Sequence, residues 1–151
     1  MQLKKWIRWG MVVAWMALIF SFSAQQGSTS GSLSGSIVDG ILSLIQFVVP
    51  SADINRETLH FIIRKGAHFS VYLVLGALSA HALSGHQVTG WKRFLYALLI
   101  STLYAISDEI HQGFVPGRGP SVRDVLIDST GAATGAGLYQ QLMIWLKIAK
   151  H

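Results

Sequence analysis

The chain has 151 residues, of which 51% are hydrophobic and 13% charged, with five Trp and seven Phe. That balance excludes an ordinary soluble domain and suits one integral membrane domain over residues 1–151. The formal charge of +5 is scattered in small groups at segment ends, so no nucleic-acid partner is expected, and the absence of cysteine excludes disulfides, zinc–thiolate sites and thiol catalysis.

Lys4, Lys5 and Arg8 precede an apolar run over 11–22, with Trp6 and Trp9 as interfacial anchors. A first span over 6–22 is about 17 residues long, near the short end for crossing a bilayer. A cleaved signal peptide is the rival, with Ser21-Phe22-Ser23 as a small-x-small site. The retained helix is favoured because the charge bias of the later segments fits an uncleaved first span.

Residues 24–36 are rich in Gly and Ser and are expected to be flexible. In 37–49, Ile37, Ile41, Leu44, Ile45 and Val48 recur at helical spacing opposite Asp39, Ser43 and Gln46. This predicts an amphipathic helix too short to span, ended by Pro50. A polar helical lead over 53–65 enters a second span over 66–83. Trp91, Lys92 and Arg93 anchor a third over 93–112, with Gly113 and Pro116 as its stop signal. Ser121 and Asp124 form a capping-box-like start to a fourth over 122–146.

The expected fold is therefore all-α: four transmembrane helices plus an extracytoplasmic amphipathic helix. Placing both termini and the 84–93 turn on one side gathers Lys4, Lys5, Arg8, Lys92, Arg93, Lys147 and Lys150 there with no acid. By the positive-inside rule both termini are then cytoplasmic and the 107–128 segment faces outward.

That segment is the main functional signal, because polar clusters between membrane helices are costly to maintain. Lys65, His68 and Tyr72 share a face of the second span, and Asp108, His111 and Gln112 share one on the third, with Glu109 about 100° away. Asp124, Asp128, Gly131 and Gly135 line a stripe on the fourth, where the glycines permit close helix approach or a homo-oligomer contact. Arg118 and Arg123 are assigned to the connecting loop. Asp108 and Glu109 fall near a helix C-terminus, the unfavourable end for an acid, which predicts pairing with Lys65 or Arg118.

Plain structural readings stand beside the functional ones. Lys65 can snorkel, His68, Tyr72 and Gln112 can be interhelical hydrogen-bonders, and Ser121 with Asp124 can simply cap a helix. Asp128 lies a turn deeper, where capping does not account for it. Asp108, Glu109, His111 and His68 are the candidates for acid/base work. No HExxH or comparable ligand spacing occurs, so neither a metal nor another cofactor is expected, and the absence of GxSxG argues against a serine hydrolase. Arg118, Arg123 and Lys65 can grip a phosphate or carboxylate.

At these residues the chain resembles the VanZ-like family. The matching stretches are FSFSAQQ, KGAHFSVYLVLG, SDEIHQGFVPGRGPSVRD and DSTGAATG, which include Lys65, His68, Tyr72, Gly76, Asp108, Glu109, His111, Gln112, Pro116, Arg118, Ser121, Asp124, Asp128 and Gly131. The resemblance implies a bacterial cytoplasmic-membrane protein linked to low-level resistance to teicoplanin, which acts on the cell-wall precursor outside the membrane. It brings no established reaction. The leading expectation is an envelope protein whose outer site (Lys65, His68, Tyr72, Asp108, Glu109, His111, Gln112, Arg118, Ser121, Asp124 and Asp128) binds a membrane lipid or cell-wall precursor headgroup. The alternative is a membrane enzyme acting on a lipid-linked substrate. A small transporter or proton pathway ranks last, since the inner halves of the third and fourth spans carry no ionisable residue.

Overall fold

Each apolar run of the sequence becomes a helix. The computed structural model describes residues 2–25, 27–49, 51 and 54–148, without the side chains of 27–30, 33, 34, 147 and 148. Gln26, Pro50, Asp53 and Lys150, which the sequence reading used, lie outside the described residues, as does the side chain of Lys147. Among the described residues there are five helices and no strand: α1 (Gln2–Ser23), α2 (Gly27–Val48), α3 (Arg56–Ser84), α4 (Gly90–Gln112) and α5 (Val122–Ile148). Helices α1 and α3 are long and apolar enough to cross a membrane. At 23 and 27 residues, α4 and α5 have the length for it, but polar residues dilute them.

The helix ends follow local chemistry. Asn55 caps α3 by accepting a hydrogen bond from the Thr58 amide at 3.0 Å, and Gly85 closes the helix. Gly113 is the C-cap of α4, and its N–H reaches the carbonyls of the last turn. At the start of α5 the Ser121 hydroxyl accepts from the Asp124 amide at 3.3 Å.

Helices α3 and α5 run parallel and in close register, from Lys65 beside Asp124 at one end to His81 beside Tyr139 at the other. Small residues allow this: a Cβ on Gly131 or Gly135 would collide with the carbonyl oxygens of Phe69 and Leu73, and one on Gly76 with that of Ala132. The Gly131/Gly135 face, offered by the sequence to a second copy, is thus covered by α3 of the same chain. Helix α1 runs opposite to α3, with Arg8 near Ser84 and Trp15 on the Val71 carbonyl. The C-termini of α1 and α4 and the N-termini of α3 and α5 therefore meet at one end.

The packing is inverted relative to a soluble protein. Ala80, Ala82, Ala97, Ala105, Ala132, Ala136, Ser79 and Ser101 are buried, while Leu99, Leu103, Ile110, Leu126, Leu138 and Trp145 are exposed. Large side chains facing out and small ones at helix contacts are what lipid, rather than water, outside the bundle would select.

The start of α2 corrects the expectation of a flexible 24–36 segment. The helix begins at Gly27 and so includes most of the Gly/Ser stretch. Intrinsic propensity disfavours helix there, and tertiary contact supplies what propensity does not. Val38 is fully buried, and Asp39 accepts from Arg56 of α3 through both carboxylate oxygens, at 2.9 and 3.1 Å. That hydrogen bond, only partly offset by desolvation, holds the Asp39 carboxyl below its usual range.

Candidate functional site

Four helix ends converge on a polar cluster centred on α4. Asp108, Glu109 and Gln112 point into the bundle and are buried, although acids at a helix C-terminus face the negative end of the dipole. Hydrogen bonds compensate. Asp108 accepts from the Ser23 hydroxyl through Oδ1 and from Gln112 Nε2 at 3.1 Å through Oδ2. Glu109 accepts from the same Nε2 at 3.2 Å and from the Ser121 amide at 2.7 Å. The Gln112 amide oxygen in turn accepts from Arg118 Nη1 at 3.1 Å, so one side chain ties two carboxylates to a guanidinium.

The expected pairing of Lys65 or Arg118 with Asp108 or Glu109 is therefore corrected. Lys65 forms its ion pair with Asp124, one helix further round, because the α3–α5 register brings those two side chains together. Arg118 reaches Gln112 and, at 3.4 Å, the Phe22 carbonyl. Arg123 is placed in the first turn of α5 rather than in the loop, with its guanidinium over the Phe61 ring.

Deeper in the bundle, His68 Nδ1 lies 3.3 Å from Asp128 Oδ1, close enough for an ion pair but without hydrogen-bond geometry. Asp128 is fully buried, and neither of its oxygens has a hydrogen-bond partner among the described residues. Atoms of His68, Glu109 and Asp128 all lie within 4.8 Å of one another. His111 goes elsewhere: it stacks on Phe20 of α1 at 4.3 Å. The face it was expected to share with Asp108 and Gln112 divides, because α1 packs against that side of α4.

Beside the cluster opens a cavity of about 390 Å³. Ile19, Phe22, Ile37, Ile63, Ala67 and Val71 supply its apolar lining, and Arg64, His68, Tyr72, Asp108, Gln112 and Arg118 its polar part. Of the expected binding residues, His68, Tyr72, Asp108, Gln112 and Arg118 line it; Lys65, Glu109, His111, Ser121, Asp124 and Asp128 do not. Burial and then the neighbouring Arg64 push the Arg118 guanidinium below its ordinary value.

A family model described as VanZ/LLP1 matches residues 8–146. The chain belongs to the VanZ/LLP1 family. No curated protein and no solved structure matches it. The VanZ-like stretches read from the sequence supply the end of α1, the middle of α3, the α4 end, the 113–121 loop and the first part of α5, the elements that meet at the cluster.

Two features of this VanZ-family chain escaped the sequence reading. Arg64 lines the cavity and forms no ion pair or hydrogen bond among the described residues. It stands one turn before His68 and two before Tyr72, so the periodicity that selected those residues also selects it. The second is a polar network at the opposite end. Arg8 donates to Ser84 Oγ at 3.1 Å, while Tyr139 Oη lies 3.1 Å from both Ser84 Oγ and His81 Nδ1. Nearby, Arg93 reaches Gln140 at 3.3 Å.

Proposed function

We propose that this VanZ-family chain is a four-span protein of the bacterial cytoplasmic membrane, with both termini cytoplasmic and the polar end of the bundle facing outward. Its cavity binds the charged head of a membrane lipid or lipid-linked cell-wall component, and occupancy of that site lowers susceptibility to teicoplanin-type glycopeptides.

The observation that carries this reading is the division of the cavity. An apolar lining sits beside Arg64 and Arg118, two guanidinium groups close enough for one to shift the other. Like charges held together in a partly desolvated site favour an anion, and Arg offers a fork that suits phosphate or carboxylate. The apolar lining suits the adjoining part of an amphiphile. Exposed apolar side chains on α4 and α5, as well as on α1 and α3, support four spans rather than two.

The deciding experiment expresses the intact chain, Arg64→Gln and an empty vector in a bacterium lacking its own copy, with membrane levels matched. Teicoplanin and vancomycin susceptibility are then compared. Raised teicoplanin tolerance with the intact chain, lost in Arg64→Gln, is the expected result. Unchanged susceptibility in all three would remove the resistance part of the reading. Failure of the purified chain to retain any anionic lipid would remove the headgroup part.

A membrane enzyme is the second reading, favoured by His68 lying beside Asp128 and Glu109. A carboxylate/imidazole set of this kind can move protons on a lipid-linked substrate. It predicts an altered lipid or wall-precursor profile on expression, abolished by Asp108→Asn or Glu109→Gln in folded protein. An unchanged profile counts against it.

A further inference from the structure

We propose that His68, Glu109 and Asp128 form a binding site for a divalent first-row cation of the zinc or manganese type, with its remaining coordination positions available to a ligand in the cavity. No local motif announces such a site, because its three donors come from three helices. Ligand-spacing patterns within one segment, such as HExxH, do not report sites assembled this way.

Three observations support it. The first is geometry: two donors bound to one zinc at about 2.0–2.1 Å with tetrahedral angles lie about 3.3 Å apart. His68 Nδ1 and Asp128 Oδ1 are 3.3 Å apart, and a Glu109 oxygen completes a set within 4.8 Å. For all three donors to meet at one centre, the Glu109 oxygen has to move inward from that separation toward the 3.3 Å spacing of the other two.

The second is the state of Asp128. Its neighbours are accounted for: Asp108 has Ser23 and Gln112, Glu109 has the Ser121 amide and Gln112, and Asp124 has Lys65. Asp128 is the most buried of the four, and its one close polar partner is His68, 3.3 Å away without hydrogen-bond geometry, so both its oxygens lack a hydrogen-bond donor among the described residues. A wholly buried carboxylate without donors carries a large desolvation cost. A cation held between it and His68 offsets that cost more fully than the imidazole alone.

The third is charge balance. Asp108, Glu109, Asp124 and Asp128 face Lys65, Arg118 and the cavity-lining Arg64, so the four carboxylates outnumber these three cations by one, leaving His68 aside. One imidazole and two carboxylates suit Zn²⁺ or Mn²⁺ better than a soft thiophilic ion. Three protein ligands leave positions open, the arrangement of sites where a metal also meets a substrate or ligand. His68 belongs to both the cluster and the cavity, so the open positions connect with the headgroup site. Only this last connection rests on the proposed headgroup binding; the cation site itself stands on the cluster.

The test uses the full chain, purified in detergent without a polyhistidine tag, stripped with chelator and titrated with Zn²⁺ alone or Mn²⁺ alone. One equivalent per chain is expected, and His68→Gln, Glu109→Gln and Asp128→Asn should each weaken uptake by at least about 10-fold. Asp39→Asn, remote from the cluster, should bind as the intact chain does. Thermal unfolding identifies variants that remain folded, and His68→Gln serves if Asp128→Asn does not. With Mn²⁺ bound, nitrogen hyperfine coupling should appear in the intact chain and vanish in folded His68→Gln. Uptake that is absent, or equal in the intact chain and all three variants, overturns the proposal and leaves shared protons to neutralise the cluster. Anionic-lipid binding measured with and without chelator separates the two ideas: lipid binding without metal uptake sinks only the cation site, and metal uptake without lipid binding sinks only the headgroup reading.

Discussion

Gly135 of α5 lies so close to the Leu73 carbonyl of α3 that no Cβ fits between them. Together with Gly131 against Phe69, this contact fixes the register that carries Lys65 to Asp124 and His68 to Asp128. The small residues of the 128–135 run are thus the mechanical basis of the polar site that begins within a turn of Gly131. Gly135→Ala should cost toward the upper end of the roughly 1–3 kcal/mol typical of overpacking, since backbone rather than a movable side chain must yield. Gly137→Ala is the control, because a Cβ there meets only Phe94 at 4.0 Å. Thermal unfolding in detergent should separate the two; equal midpoints would contradict the close packing.

The Lys65–Asp124 pair is largely buried, with side-chain exposures of 19% and 7%. Removing one partner leaves the other charge in a poorly solvated place, at a cost of up to roughly 3–5 kcal/mol. Lys65→Met and Asp124→Leu should each be strongly destabilising, whereas the double variant should recover much of the loss. A double variant whose destabilisation equals the sum of the two would show that the pair is not coupled.

The end-to-end helical order was legible because the apolar runs, the Gly113/Pro116 stop and the Ser121 cap are local signals. The gathering of Asp108, Glu109, Gln112, His68 and Asp128 was legible for a related reason: polar residues on facing stripes of apolar helices have few places to go. Partner choice was not legible. Whether Lys65 meets Glu109 or Asp124 depends on the α3–α5 register, which steric fit at Gly131 and Gly135 decides and which no charge pattern encodes. The early start of α2 was hidden because Gly and Ser disfavour helix locally, and the compensating Asp39–Arg56 contact is 17 residues away in sequence.

That contact gives a pH prediction. The Asp39 carboxyl is held below its ordinary value of 3.8, chiefly by the Arg56 hydrogen bond, so its folded pKa is depressed relative to the unfolded chain. Its contribution is fully present above the unfolded value and disappears as pH falls through the lower folded value. Docking of α2 on α3 should therefore be constant from neutral pH to about pH 5 and loosen only in stronger acid. Added salt should weaken this exposed pair at neutral pH as well. Spin-label distances between the two helices read the effect directly, and Asp39→Asn should remove the acid-dependent step. A transition near pH 6.5, with Asp39 intact or replaced, would assign the docking to a histidine instead.

Arg64 gives the sharpest test of the cavity. It lines the space but has no partner among the described residues, whereas Arg123 is held over Phe61 and does not line it. If an anionic head sits there, Arg64→Gln removes a charge-assisted hydrogen bond worth about 1.5–3 kcal/mol, equivalent to roughly 10- to 150-fold in affinity. Protein stability should not fall, because relieving the repulsion between Arg64 and Arg118 offsets any packing lost. Arg123→Gln should leave affinity unchanged and lower stability slightly through loss of its cation–π contact, by about 0.5–1 kcal/mol. Titration of both variants with an anionic phospholipid in detergent, alongside their unfolding midpoints, checks the pattern. Equal losses of affinity would mean that the two arginines contribute general surface charge, and the bound head would have to be sought outside the cavity.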